Sequence, residues 1–521
     1  MAFQNFQLPN WVSFNTFHHV GSAIPGMYPD FTLWPLVFIT NFVSLPHQVI
    51  LIRTITCFLT YIGLLSALLF GFKVQNKLFA SLLSFIYATS GYALLTFAIS
   101  FQPSIAIVYA TIPWIIITTM DWLRSEKINI YISIKLSVFL TIVVYSHLLS
   151  TVVWLISFAP LIVWYLFFKR NILVLLNGGI ALAALLMSTS PFLFRFFTIK
   201  TSGLLNPFGI GNANGQSFFE LIGYSSMWGA QNSLALPWVL IILLLLITKQ
   251  RKINKNQTIN IFMLAWLAYL TTTLAPLDIF NSIPILDSFQ YTPWRFGPYL
   301  AIPAILLIAK SVDETRQKIT RTILVGICII SAGFCSYSFL TTSDPLKSLG
   351  ARIQGYTLSK PIKITEQDLE NDSLNQTIIP DYAPEGIGVM KGDDSQLSKF
   401  GHLINKEHLV VTKHKEYKYS VGQFNNQNIT LVSNTDANHH ALIPIYGYNN
   451  LEYTVKVNGS RKDYSINTNG IISILSSVSK NDKINVSISI PKSYYILLIF
   501  SLIFISAELF IVFKPHRASP K

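Results

Sequence analysis

The sequence reads as a mostly α-helical polytopic membrane protein of about eleven transmembrane helices, with a β-sandwich-like domain outside the membrane before the last helix. Three observations predict this. Hydrophobic residues make up 51% of the 521 and charged residues only 12%, with a mean hydropathy of +0.48, beyond the usual soluble range. Apolar runs of spanning or near-spanning length recur along the chain. The short loops between them sort their cations to one side.

The runs lie at about 49–71, 78–100, 103–123, 129–150, 151–168, 172–194, 233–249, 258–275, 294–310, 321–341 and 493–514. Taken alternately, one set of loops and the C-terminal tail hold 17 cations, among them Arg124, Lys127, Arg251, Lys310 and Lys514. The opposite short loops hold three, Arg195, Lys200 and Arg295. The positive-inside rule then puts the basic loops and the C-terminus in the cytoplasm, and the rest of the chain's outer surface outside a bacterial cytoplasmic membrane. The net charge of +14 is therefore topological, and a nucleic-acid partner is not indicated. The predicted order is an exofacial segment 1–48, a transmembrane domain 49–341 of ten helices, an outer domain 342–492, a last helix 493–514 and a basic tail 515–521.

Each outer element has its own signature. Residues 1–48 contain neither Lys nor Arg, and export of such a start calls for a signal peptide or a preceding helix. Neither is present, so the pattern predicts that the chain as written lacks its first helix. Tyr28–Phe42, "YPDFTLWPLVFITNF", is apolar yet too short to span, and reads as an interfacial or re-entrant helix. From Thr342 onward, alternating runs such as "NITLVS", "LEYTVKVNG" and "KINVSISI" between Asn, Gly and Asp turns predict the antiparallel β-sandwich. Cys57, Cys328 and Cys335 all fall in apolar runs, so packing rather than disulfides holds that domain.

Cations that persist on the outer side against the charge bias ask for an anionic partner, and a guanidinium matches the oxygens of a lipid phosphate. Arg295, in "DSFQYTPWRFGPYL", is the foremost; an interfacial arginine snorkelling between Trp294 and Tyr299 explains it equally well. Arg53, Arg195 and Lys200 belong to the same outer set. His147, in "YSHLLST", ends a helix on that face, either binding a phosphate or sugar hydroxyl or simply solvated. Asp30, Asp278 and Asp287 are carboxylates of the kind that glycosyl or phosphoryl transfer uses as base or as ligand to a divalent cation, and equally ordinary loop carboxylates. Lys135, Asp121 and Glu508 read as interface anchors toward the cytoplasmic ends.

"GSAIPGMYPDFTLWP", "YSHLLST", "FQYTPWRF", "DYAPEG" and "IPIYGYNNLEYTVKVNG" together resemble the YfhO-like bacterial membrane proteins and the related family labelled 6-pyruvoyl-tetrahydropterin synthase-related. The resemblance implies a GT-C-like fold, in which a membrane-embedded cleft passes a sugar from a polyprenyl phosphate to an envelope polysaccharide or a teichoic acid such as lipoteichoic acid. It places Arg295 at the donor phosphate, His147 and Gln290 along the cleft, and Asp30 near it. Members of the group begin with a helix and an acidic loop of the type Asp-x-x-Phe-His-x-x-Arg, which this chain lacks. On this resemblance either the start of the chain is misplaced or the protein has lost its catalytic acid and is inactive as given, with Asp30 the only carboxylate near the start that could substitute. A non-catalytic glycopolymer-binding membrane protein and a flippase for a lipid-linked saccharide are the alternatives.

Overall fold

The computed structural model describes residues 10–93, 96, 102–207, 211, 213–215, 217, 255–284, 286–290, 292–314, 318–341, 381–391, 393–412, 415–425 and 427–514. Its helices are α1 (Ile24–Met27), α2 (Leu33–Thr40), α3 (Leu45–Ser66, continued by a π turn Ala67–Gly71), α4 (Lys77–Ala88), α5 (Pro103–Leu123) and α6 (Ile130–Ser146). These are followed by α7 (Leu148–Val163, continued by a π turn Trp164–Phe168), α8 (Leu173–Lys200), α9 (Lys255–Thr271), α10 (Leu277–Ser282), α11 (Thr292–Glu314), α12 (Lys318–Thr341) and α13 (Lys492–Phe513).

Most predicted runs are helices within a few residues of their predicted ends, and two differ. The run 78–100 is interrupted, because α4 stops at Ala88 and Thr89 leaves helical geometry with φ −107 and ψ 14. The boundary placed at 150/151 falls at His147, whose extended backbone (φ −160, ψ 97) ends α6 and starts α7. The run 233–249 and the stretch 342–380 lie outside the described residues. Among the described residues five helices are long and apolar enough to cross a membrane, His47–Gly71, Pro103–Leu123, Leu148–Phe168, Leu173–Lys200 and Lys492–Phe513, and four apolar helices are shorter. At 17 residues, α6 reaches only about 25 Å, less than the roughly 30 Å of a bilayer core.

Packing divides the helices into central and peripheral ones. From Tyr299 to Ala309 nearly every apolar side chain of α11 is at most 5% exposed, so this helix runs through protein. Phe58, Phe70, Phe167, Ile503 and Phe510 are instead 61–74% exposed and give the belt of apolar side chains that a lipid-facing surface requires. Close approach of α3 to α5 needs Gly63, where a Cβ would stand 2.2 Å from the Ala110 carbonyl oxygen. Glu508 is not at an interface. It is 2% exposed, with its carboxyl accepting from Ser137 Oγ of α6 at 2.7 Å and Ser188 Oγ of α8 at 2.6 Å. A buried carboxyl satisfied by two hydroxyls fixes α13 against both helices.

The β-rich part is a sandwich. One sheet has the order β3-β4-β5-β11-β7-β8 and the other β6-β10-β9, with every pairing antiparallel. The strands of the larger sheet are Leu409–Val411, Glu416–Phe424, Asn428–Ser433, Lys483–Ser489, Glu452–Val457 and Ser460–Lys462 in that order. Those of the smaller are Ala441–Tyr446, Ile471–Ile474 and Tyr464–Ile466. A short hairpin, β1 (Val389–Met390) with β2 (Asp393–Leu397), precedes them. The predicted alternation is present: β5 and β7 bury every second residue, so Ile429, Leu431 and Val455 meet Ile443, Ile472 and Ile474 in one core.

Residues 10–27 belong to that core. Trp11, Val12, Phe14, Val20, Ala23 and Met27 are at most 5% exposed within it. The Tyr446 amide donates to the Val20 carbonyl at 2.8 Å, and the Ala23 amide to Tyr448 Oη at 3.0 Å. Of the segment expected to lie at the interface, α2 alone is helical, followed by the exposed Phe42 (79%).

Candidate functional site

Two cations expected on the outer side have opposite surroundings. Arg195, in the last turns of α8, is 2% exposed. Its Nη2 donates to Asp30 Oδ1 and to the Tyr28 carbonyl, both at 3.0 Å. The Phe192 ring lies 5.6 Å from its guanidinium carbon. Asp30 is held in position by this pair, between α1 and α2.

Arg295 is half-buried in the first turns of α11. Its Nε donates to the Phe289 carbonyl at 3.2 Å and its Nη2 reaches the Ser288 carbonyl at 3.5 Å. These bonds fold the guanidinium back onto the preceding turn, which Phe280, Phe289 and Phe296 brace as a stack. Gln290 completes the turn with φ +48, its carbonyl accepting from the Asn214 amide at 2.5 Å. A left-handed glutamine is strained by about 1–2 kcal/mol, which that cross-loop bond offsets.

A cavity of about 20 Å³ opens beside Arg295, lined by Tyr92, Tyr109, His147, Ser150, Trp294 and Tyr299 among others. It is large enough for a water-sized group. His147 Nδ1 pairs with Ser150 Oγ at 2.8 Å, leaving Nε2 as the ring's second polar atom. The Arg295 charge reaches His147, Tyr92 and Tyr28. Tyr28 joins the residues that lead into the β-sandwich to the same place. Its ring meets Tyr382 edge-on at 5.7 Å, and Asp381 lies within charge reach of both. Burial, then the neighbouring Tyr28 and Asp381, hold the Tyr382 phenol above its ordinary range, so it is a neutral donor.

Of the residues expected at a site, the structure therefore gathers Arg295, His147 and the Gln290 turn, with Asp30 and Arg195 joined to them through Tyr28. Arg53 stands half-buried two turns into α3 and is not among the described residues lining the cavity. Lys200 is exposed at the end of α8, 3.5 Å from Asn206 Oδ1. Asp381 and Tyr382 were not foreseen as site residues, although "DYAPEG" carries them. Their signal is spatial: the Leu205 amide bonds the Ala383 carbonyl at 2.8 Å, pinning that motif beside α8. Among the described residues no three His, Cys, Asp or Glu side chains gather as a metal site would need.

No family model matches the chain, and no curated protein matches it significantly. Among solved structures the chain is similar to the cryo-EM structure of the arabinofuranosyltransferase AftD from Mycobacteria, with 12% identity and a TM-score of 0.43 over 62% of this chain and 22% of that one. The chain thus spans less than a quarter of that protein's length. A likeness of this degree bears on neither activity nor substrate, which rest on the site itself.

Proposed function

We propose that this chain is a membrane-embedded transferase that moves a sugar from a polyprenyl-phosphate donor to an envelope glycopolymer, on the side of the membrane that carries the β-sandwich. One observation carries the reading: Arg295 and His147 line one cavity at an end of the helices, and Tyr28, in the field of both Arg295 and Asp381, links it to the stretch that leads into the β-sandwich. The resemblance to YfhO-like proteins agrees with it.

In the reaction, an acceptor hydroxyl attacks the anomeric carbon as the bond from that carbon to the phosphate oxygen breaks. Negative charge grows on the departing phosphate, where Arg295 is placed to offset it; His147 Nε2 is a second polar contact. The hydroxyl proton needs a carboxylate. We assign that role to Asp381, which lies within charge reach of Tyr28 and Tyr382; Asp30 is bound to Arg195. Asp30 then acts as a positioning residue, holding Tyr28 through Arg195.

The test is sugar transfer to polymer by the full chain in proteoliposomes with a polyprenyl-phosphate sugar. Arg295→Gln and Asp381→Asn are each expected to lower the rate about 10²-fold with insertion unchanged. Full activity in either variant overturns that residue's role, and lipid translocation without transfer by the unaltered chain selects the flippase reading instead.

A further inference from the structure

A second cavity, of about 190 Å³, opens at the opposite ends of the same helices. Its rim carries Asp121 and Arg124 at the end of α5, Asn260 near the start of α9, and Lys310 in the last turns of α11. Its shaft is apolar, with Met120, Met263, Leu267, Pro303 and Leu306 among its walls, and it ends at Tyr299. Arg295 and Lys310 are 15 residues apart on α11, about 22 Å of helix, so this cavity belongs to the other face. Tyr299 lines both cavities and is the wall between them.

The rim charges define the occupant. Among the described residues the rim carries one acid, Asp121, and two cations, Arg124 and Lys310, with Lys135 also within charge reach of Asp121. A rim of net positive charge above an apolar shaft, between membrane helices, suits an amphiphile with an anionic head and a hydrocarbon tail.

We infer that this cavity binds a phosphate group carried on a lipid tail, held by Arg124 and Lys310, on the face of the membrane opposite the β-sandwich. The inference stands apart from the transferase reading, since neither cation belongs to the Arg295 site.

The full chain with Asn260→Cys, labelled with bimane in phosphatidylcholine nanodiscs, reports on the rim; the unsubstituted chain corrects for labelling of the native cysteines. Dihexanoyl-phosphatidylglycerol is expected to give a saturable emission shift, weakened about tenfold or more in R124Q/K310Q and unchanged in R295Q. Inorganic phosphate at similar concentration giving the same shift supports the site with free phosphate as its source. The absence of a saturable shift with either, an equal response to dihexanoyl-phosphatidylcholine, or an unchanged midpoint in R124Q/K310Q overturns it. The single variants R124Q and K310Q, each expected to weaken binding severalfold, keep the test open if the double variant fails to insert.

Discussion

Arg195 and Arg295 were both expected on the side that the positive-inside bias keeps poor in cations, yet their surroundings differ. Arg195 is enclosed, 2% exposed, and paired with a carboxylate and a carbonyl. Arg295 is half-buried beside a small cavity, with bonds to the Phe289 and Ser288 carbonyls among its contacts. A carboxylate partner neutralises a buried guanidinium, whereas backbone carbonyls orient one toward the space beside it. The first arginine is therefore architecture, and the second is the one proposed to meet a ligand.

Breaking the enclosed pair is expected to have the largest effect. Asp30→Ala leaves Arg195 buried beside Phe192 without its counter-ion and costs about 3–5 kcal/mol, seen as early thermal unfolding of the detergent-solubilised chain. Arg195→Met with Asp30→Leu recovers much of that loss; an Asp30→Ala protein as stable as the original would place the pair's role elsewhere. Arg295→Gln inverts the pattern, with transfer falling about 10²-fold while unfolding moves little. A comparable loss of stability would make the two arginines alike.

A smaller effect concerns His408, whose left-handed backbone (φ +47) starts the strand beside the His18–His19 turn. Burial, then the neighbouring His19 and His18, lower it to about 4 from an ordinary 6.5. A histidine held neutral in the fold stabilises fully above its unfolded pKa. That contribution falls away as pH drops from about 6.5 toward 4, because the unfolded chain takes up the proton first. His408→Asn, neutral and tolerant of that backbone, is expected to flatten the acid side of a stability profile between pH 7 and 4. Lys200→Ala, at an exposed helix end, is expected to change stability by less than about 0.5 kcal/mol; a large change would show that the outer cations share a role.

Much of the helical part was legible because each element is coded locally. The run 103–123 matches α5 at both ends, and 321–341 and 493–514 match α12 and α13 within a few residues. Alternation likewise announced β5 and β7. What was not legible depends on distant partners. Nothing in "NWVSFNTFHHVGSAIPGM" has strand or helix period, yet Trp11, Phe14 and Val20 join the sandwich core because their partners lie far along the chain, from Phe194 against Trp11 to Tyr446 bonded to Val20. The break at Thr89 escaped for the opposite reason, since "TSGYALLTF" is apolar enough to continue a span and contains no proline. At the site, "WRF" flagged Arg295 through its charge, whereas Asp381 is one acid among fifteen between 342 and 492 until the fold sets it beside Tyr28.

The joining of residues 10–27 to the β-sandwich sets an order in time. Ala23 bonds Tyr448, 425 positions later; at a synthesis rate of about 5–20 residues per second, its partner emerges roughly 20–85 s after it. Throughout that interval Trp11, Phe14 and Met27 have no sandwich to enter, while the intervening helices insert. The β-sandwich is thus closed by one of the oldest segments of the described chain, and a ribosome that stalls before Tyr446 leaves that segment as an apolar end for chaperones and proteases to find.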